Sequence, residues 1–485
     1  MRRYGTSCYA SRPTRALPRR KPSTSMPRSK AAARRRAPPD GPSIHRDTDM
    51  ADKKTLKLAG FIFSGSNSQS WRVPEFSAHD SLNIEYFIEY AQLAESAGIE
   101  TLFLADGASF PTGPKEVVES LWSVSTFEPV TMMAALAART QHIGLIYTAS
   151  VADNEPTHLA RQLVSLDHIS HGRAGWNVVT TPGPGGYNLG IHQPDAEDTK
   201  YQRARAFIDT TLALVDSFED DAVIRDKARG RYIDLDKIHA PAIDNGYYRA
   251  DQPLKLERPP QGHPIIAQAG TSPAGLALGA ETADVIYCAN YSIEAGQRTW
   301  RAIKDHAVSA GRRPEDVVIL TGVAVVWGET QQEAEAKLEQ VSSLWPIEVA
   351  LRNMGIDFPG HDLDDPFPED YVVRFSSGRS AAIAHHALTH GLTIRQTAYR
   401  VSVGLGHRPL VGTTQSIADD FQAWLEAEAT DGFALIQPRL IDGLRDVVDH
   451  VLPELKRRGI FRGAYPGKTL RENLGLRRPQ NIHLR

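Results

Sequence analysis

LDHISHGRAGWNVVTTPGPGGYNLG, residues Leu166 to Gly190, holds the whole α/β repeat in one stretch. An apolar helix end (Leu163, Leu166, Ile169) runs into the breaker His171-Gly172. A short strand follows from Arg173 to Val179, and the chain leaves regular structure at Thr180-Thr181-Pro182-Gly183. Helix, tight turn, strand and Gly/Pro-rich loop is how an α/β unit brings polar groups to the open end of a parallel sheet. The strand sets Trp176 and Asn177 beside Val178 and Val179. An amide therefore sits near the strand's carboxyl end, where α/β barrels keep their chemistry. A capped, buried strand whose Asn pairs with neighbouring backbone fits the same residues equally well.

Outward from this stretch, the pattern repeats. Towards the amino end, short apolar strands are expected at Leu58 to Phe63, Thr101 to Ala105 and Ile143 to Thr148, with helices at Ile84 to Ala97, Pro129 to Arg139 and Pro156 to Ile169. Towards the carboxyl end, strands are expected at Pro264 to Gln268, Asp284 to Tyr287, Val317 to Val326 and Gly432 to Ile436, and a helix at Leu444 to Arg458. Eight strands alternating with helices predict a single (β/α)8 TIM barrel, with right-handed crossovers, over residues 55–478. The alternation lapses at about 217–262 and 345–377, which read as insertions, and 479–485 read as a tail.

The chain has 485 residues, 41% hydrophobic and 23% charged, ordinary for a globular protein with a large core. No apolar run is long enough for a membrane span. Cys8 and Cys288 lie far apart, so neither a disulfide framework nor a cysteine-rich metal site is expected. A reducing, cytoplasmic setting fits. Residues 1–39 hold twelve Arg and Lys and no acid, which leaves the remainder of a chain of net charge −3 strongly acidic and argues against a nucleic-acid partner. Residues 1–54 are rich in Arg, Pro, Ser and Ala without apolar periodicity, and a disordered basic extension is expected there. Its composition suits a start at Met50, an organelle transit peptide or a basic binding tail.

Several clusters invite chemistry. Asp106 ends the second strand and can accept from a ligand N–H or cap the next segment. In Gln268-Ala269-Gly270-Thr271-Ser272-Pro273, Gly270 permits close backbone approach and Ser272 opens a helix. That suits a phosphate, or merely an N-cap followed by Pro. Gly183-Pro184-Gly185-Gly186 is too irregular for a dinucleotide fingerprint and reads as a mobile active-site loop. His385 and His386 are adjacent on a helix, point to different faces and make a poor metal pair; a surface role is expected, and no metal site. The acidic pairs Asp364-Asp365 and Glu369-Asp370 could belong to a two-carboxylate glycosidase, but in a Pro-rich segment they read as a solvated face.

Together the chain resembles the nitrilotriacetate monooxygenase component A family, within the bacterial-luciferase-like flavin monooxygenases. The resemblance rests on Asn154-Glu155-Pro156, Leu159-Ala160-Arg161, Leu166-Asp167-His168 and Gly172 through Thr180. It is joined in order by Phe103-Leu104-Ala105-Asp106, Gln268 to Ser272, Val411-Gly412-Thr413 and Thr469 to Leu476. It covers residues 56 to about 478. The resemblance implies one barrel that uses reduced FMN (FMNH2) from a separate NAD(P)H:flavin reductase, and O2, to oxygenate a small organic substrate through a flavin C4a-peroxide. It also implies a homo-oligomer. By the same resemblance the flavin contacts fall on Asp106, Thr148 or Ser150, Tyr201 and Ser272, with Asn154, Asn177, Gly270 and Thr271 as further contacts. Glu197 stands where the family often has His, four residues before Tyr201, and Thr157 where Tyr is common. A deazaflavin (F420)-dependent dehydrogenase on the same barrel and a non-catalytic flavin-binding barrel are the alternatives.

Overall fold

The computed structural model describes residues 54–63, 69–72, 82–180, 197–269, 272–371 and 378–484. The basic extension up to residue 53 and the Gly183–Gly186 loop lie outside them.

Parallel strands β1 (Lys57–Phe63), β2 (Thr101–Ala105), β3 (Gly144–Ser150) and β4 (Ala174–Val179) pair in chain order. A two-residue hairpin, β5 (Ile243–Asp244) and β6 (Arg249–Ala250), follows in the first insertion. The sheet resumes with β7 (Ile265–Ala269), β8 (Val285–Cys288) and β9 (Val318–Trp327). Strand β11 (Gly432–Ile436) pairs with both β9 and β1 and closes an eight-stranded barrel. The ninth strand, β10 (Arg408–Gly412), was not anticipated. It pairs with the carboxyl half of the ten-residue β9, which outruns its neighbours.

The helices are α1 (Ile84–Ala97), α2 (Pro129–Ala137), α3 (Pro156–Ile169), α4 (Glu197–Val215), α5 (Pro273–Thr282) and α6 (Ile293–Ser309). Then come α7 (Gln331–Ser342), α8 (Ile347–Met354), α9 (Gly378–Thr389), α10 (Ile394–Val403) and α11 (Thr414–Glu426). Strand alternation sends one set of side chains outward to the helices, among them Leu145, Tyr147 and Trp176. The other set fills the barrel, where Phe61, Phe103 and Tyr287 stack with centroids 5.1–5.4 Å apart.

The opening stretch explains itself in this frame. Helix α3 stops where His171 (φ 57°) and Gly172 (φ 93°) turn left-handed, and a Cβ on Gly172 would come within 2.7 Å of Thr469 Cγ2. Arg173 then turns inward, buried, and donates to the carbonyls of Ser170, Ile143, Ala137 and Thr140 and to Thr140 Oγ1 at 2.6–3.1 Å. One guanidinium thus welds the end of α2 to the starts of β3 and β4. Asp167 Oδ1 accepts from Ala174 N (3.0 Å) and Gln261 Nε2 (2.5 Å), fixing the start of β4 from the other side.

The amino end of the barrel is closed by Thr469–Leu476. Leu470 and Leu474 join the interior cluster, Leu470 N donates to Gly172 O (2.9 Å), and Arg471 holds Asp284 with two bonds (2.8 and 2.9 Å). Beyond it, Asn481 docks on the carbonyls of Asp216 and Phe218.

The first insertion leaves α4 at Asp216 and climbs back along it, with Tyr248 against Phe207 and its hydroxyl bonded to Arg203 Nε (3.0 Å). It buttresses α4. The helical segment from α7 to α10 has its own apolar core around Trp345, Ile383 and Ala398. It reaches the connection after β2, where Arg352 donates to Thr112 O, and Leu344 O accepts from Arg72. Among the described residues no helix is long and apolar enough to cross a membrane.

Candidate active site

The residues singled out from the sequence gather at the carboxyl ends of β2, β3, β4 and β7, four consecutive neighbours in the sheet. At ordinary strand spacing they span about 14 Å of rim. Asp106 follows β2 directly. Thr148 and Ser150 end β3, Asn177 lies in β4, and Ser272 follows β7 as the N-cap of α5.

Asp106, Thr148, Ser150 and Asn154 line one cavity of about 900 Å³. Its other walls come from the connection after β2 (Phe110, Glu128), from β3 and the connection after it (Tyr147, Asp153) and from α3 (Gln162). Asn154 bends back to donate from Nδ2 to Ser150 O (2.9 Å), which shapes the connection after β3. Thr148 Oγ1 donates to Leu104 O (2.8 Å) and accepts from Asn177 Nδ2 (2.9 Å). Asn177 is only 4% exposed, and its Oδ1 has no partner among the described residues. A buried acceptor left unpaired costs about 1–3 kcal/mol, which makes Asn177 a candidate contact for a group carrying an N–H.

At the other end of the rim, Tyr201 on α4 meets Ser272 hydroxyl to hydroxyl at 2.7 Å. Ser272 Oγ also accepts from Gly275 N (3.1 Å), and Lys200 Nζ lies 4.9 Å from the Tyr201 ring centroid. Two hydroxyls at the start of a ten-residue helix, with Lys200 of α4 beside one of them, are groups that could hold a phosphate. Strand β4 joins the two ends: Asn177 faces Thr148 in β3 and Ala267 in β7. These groups fit FMN. Asn177 Oδ1 and Asp106 suit the polar edge of its ring, and Tyr201 with Ser272 its phosphate. Gly270, Thr271 and the side chain of Glu197 lie outside the described residues, although Glu197 begins α4.

Trp176, next to Asn177 in the strand, points outward, is fully buried, donates to Ala149 O (2.9 Å) and packs on Phe207. It is core. His386 is not a surface residue: it is buried beside His390 with ring centroids 4.2 Å apart. Burial first, then the neighbouring His390, Arg400 and Arg408 side chains, hold its pKa down at about 3. The acidic pair Asp364-Asp365 lies on a solvated face, as read from the sequence: both residues are exposed, and Asp364 pairs with Arg395 through two bonds (2.8 and 3.0 Å).

Sequence reasoning missed Tyr147, Glu128 and Asp153. Tyr147 reads as one more apolar strand residue, and only its place in the cavity wall marks it. Burial, and then Glu128, push its phenol pKa well up, and its hydroxyl has no partner among the described residues. Burial also raises the Asp153 carboxyl.

Comparison with known proteins agrees with this geometry. Nitrilotriacetate monooxygenase component A of Aminobacter aminovorans is 40% identical over 89% of this chain and 99% of that protein. N-acetyl-S-(2-succino)cysteine monooxygenase of Bacillus subtilis (strain 168) is 38% identical over 88% and 98%. Among solved structures, EDTA monooxygenase from Chelativorans sp. BNC1 superposes with a TM-score of 0.74 at 29% identity, covering 87% of this chain and 99% of that one. DmoA from Hyphomicrobium sulfonivorans superposes with a TM-score of 0.78 at 29% identity, covering 87% and 92%. Residues 63–431 match the luciferase-like monooxygenase family, and the chain belongs to it.

Proposed function

We propose that the chain binds reduced FMN along the β2–β3–β4–β7 rim and uses it with O2 to oxygenate a small organic substrate. A separate NAD(P)H:flavin reductase supplies the flavin. The observation that carries this is the buried amide of Asn177, midway along the rim, its nitrogen donating to Thr148 and its oxygen without a partner among the described residues. Tyr201 and Ser272 hold the phosphate, and Lys200 adds a compensating charge. Asp106 and Asn177 orient the ring through its polar edge. The segment from α7 to α10, joined to the connection after β2 through Arg352, shields that side from water. When bound, reduced FMN supplies the two electrons by which one oxygen atom of O2 enters the substrate and the other leaves as water. A relative named as a component A supports the second, reducing protein.

The test is anaerobic titration with reduced FMN, followed by aerobic turnover with a flavin reductase and NADH. Saturable binding, and oxygen uptake that a substrate couples to product, are expected. Tight F420 binding with none for reduced FMN would replace oxygenation by hydride transfer. Binding of neither would leave a barrel without flavin chemistry.

A further inference from the structure

Helix α9 and the residue after it carry three histidines, and the fold pairs them differently from their order in the chain. His385 and His386 are neighbours that point apart, His385 exposed and His386 buried. His390 stands one helical turn beyond His386, its backbone N donating to His386 O (3.2 Å). The two rings lie with centroids 4.2 Å apart and planes 41° from parallel. His390 Nδ1 is also 2.9 Å from His386 O. A carbonyl only accepts, so Nδ1 carries the proton and Nε2 the lone pair, the tautomer in which an imidazole ligates a metal. His386 Nε2 has no hydrogen-bond partner among the described residues, so ligation there breaks no bond of the fold.

Both rings border a cavity of about 390 Å³ between the start of α6, α7, α10, β10 and α11, and it shares no residue with the cavity at the rim. Two arginines line it as well, and each already has a carboxylate. Arg400 meets Glu335 (3.0 Å), and Arg408 holds Asp420 with two bonds (2.9 and 2.7 Å). With neutral imidazoles, the charged groups of the lining therefore balance. Metal–nitrogen bonds of about 2.0–2.1 Å put two ligating nitrogens no more than about 4 Å apart, within reach of rings this close. Two histidines four residues apart on one helix face are a recurrent metal-binding pair, and imidazole prefers Cu2+, Ni2+ and Zn2+ to Mg2+ and Ca2+. Among the described residues no three of His, Cys, Asp and Glu are grouped to hold a metal, so water fills the remaining coordination positions.

We propose that His386 and His390 form a two-imidazole site for a late first-row divalent cation. The site rests on none of the flavin assignments, and the oxygenation proposed above does not call on it.

The experiment is calorimetric titration of Ni2+ and of Zn2+ into the full, tag-free chain, with Mg2+ as the control, together with the electron paramagnetic resonance spectrum of the Cu2+-loaded chain. Saturable Ni2+ binding without Mg2+ binding is expected, and nitrogen splitting from two imidazoles. His390→Ala, at an exposed helix end, should keep the fold and weaken Ni2+ binding at least about tenfold, whereas His385→Ala, on the other face, should change it by less than about threefold. His386→Gln removes the buried member; if that variant does not fold, His390→Ala and the spectrum decide. Absence of saturable Ni2+ and Zn2+ binding, an affinity that His390→Ala leaves within about threefold, or a spectrum with a single imidazole overturns the proposal.

Discussion

Tyr201→Phe isolates the phosphate seat with the least collateral change. The substitution removes one oxygen from a half-buried ring and breaks its 2.7 Å bond to Ser272, whose Oγ keeps its bond from Gly275 N. The cap of α5 therefore survives, and the loss of folding stability should stay near one neutral hydrogen bond, about 0.5–1.5 kcal/mol. A bond to a phosphate dianion is charge-assisted and worth about 1.5–3 kcal/mol, so reduced FMN should bind about 10- to 150-fold more weakly. Riboflavin has the same ring and no phosphate, so its affinity should change by less than about twofold. The assay is anaerobic titration of both flavins into both proteins, read as the ratio of their dissociation constants. Ser272→Gly, which keeps an acceptable N-cap, should raise the FMN-to-riboflavin ratio of dissociation constants similarly, and the double variant should lose less than the sum because the hydroxyls position each other. An unchanged FMN-to-riboflavin ratio in Tyr201→Phe, or equal weakening of both flavins, refutes the phosphate assignment.

Asn177→Ala should leave the thermal midpoint of the flavin-free protein nearly unchanged, since it removes one bond and one unpaired acceptor together, yet abolish most of the midpoint rise that reduced FMN induces. Arg173→Met strands five acceptors of a buried guanidinium and should cost about 3–5 kcal/mol in urea unfolding. Glu197→His, which removes an acid one helical turn from Tyr201, should tighten FMN binding by about tenfold, measured by the same titration. Burial lifts the pKa of Glu100 to about 7 and that of Asp167 to about 6, both above their unfolded values of 4.5 and 3.8. The folded state thus holds more protons than the unfolded one. Each group's contribution is largest near pH 4 and is lost as pH rises through its folded value, by on the order of 2–3 kcal/mol. Between pH 5 and 8 urea midpoints should fall, and Glu100→Gln, whose amide oxygen can still accept from Leu58 N, should flatten the fall.

The barrel was legible because a strand buried on both faces writes itself as an apolar run, and eight such runs were visible. Strand β10 was not, because Arg408-Pro409-Leu410-Val411-Gly412 neither alternates nor runs apolar; it forms only because β9 overshoots and offers an open edge. The Gly-Arg-Ala-Gly-Trp-Asn block carries the family's signature, but most of it is scaffold. Gly172 makes room for Thr469, Arg173 ties three elements together, Trp176 packs outward, and only Asn177 faces the mouth. Thr469–Leu476, equally useful for recognition, closes the opposite end of the barrel. A motif therefore reveals the family more readily than the site. Tyr147 and Asp153 gave no signal because an unpaired buried atom is a property of the assembled wall, not of neighbouring letters. His386 shows the same limit: helical geometry separated it from His385, but which face would be buried depended on Tyr291 and on Arg400 of α10, distant in sequence.

The two ends of the rim also differ in charge, and that difference has a consequence for orientation. At the β7 end stand two hydroxyls, Lys200 and the positive start of α5; at the β2 end stands Asp106, with Glu128 and Asp153 in the same cavity lining. A molecule with a dianionic tail and a neutral ring can lie along such a rim in one direction only. Reversed, its phosphate would face the like charge of carboxylates, which costs on the order of a few kcal/mol for a close pair at the effective dielectric of a protein surface. On the proposed flavin reading, the acids at the β2 end would set which way the flavin lies.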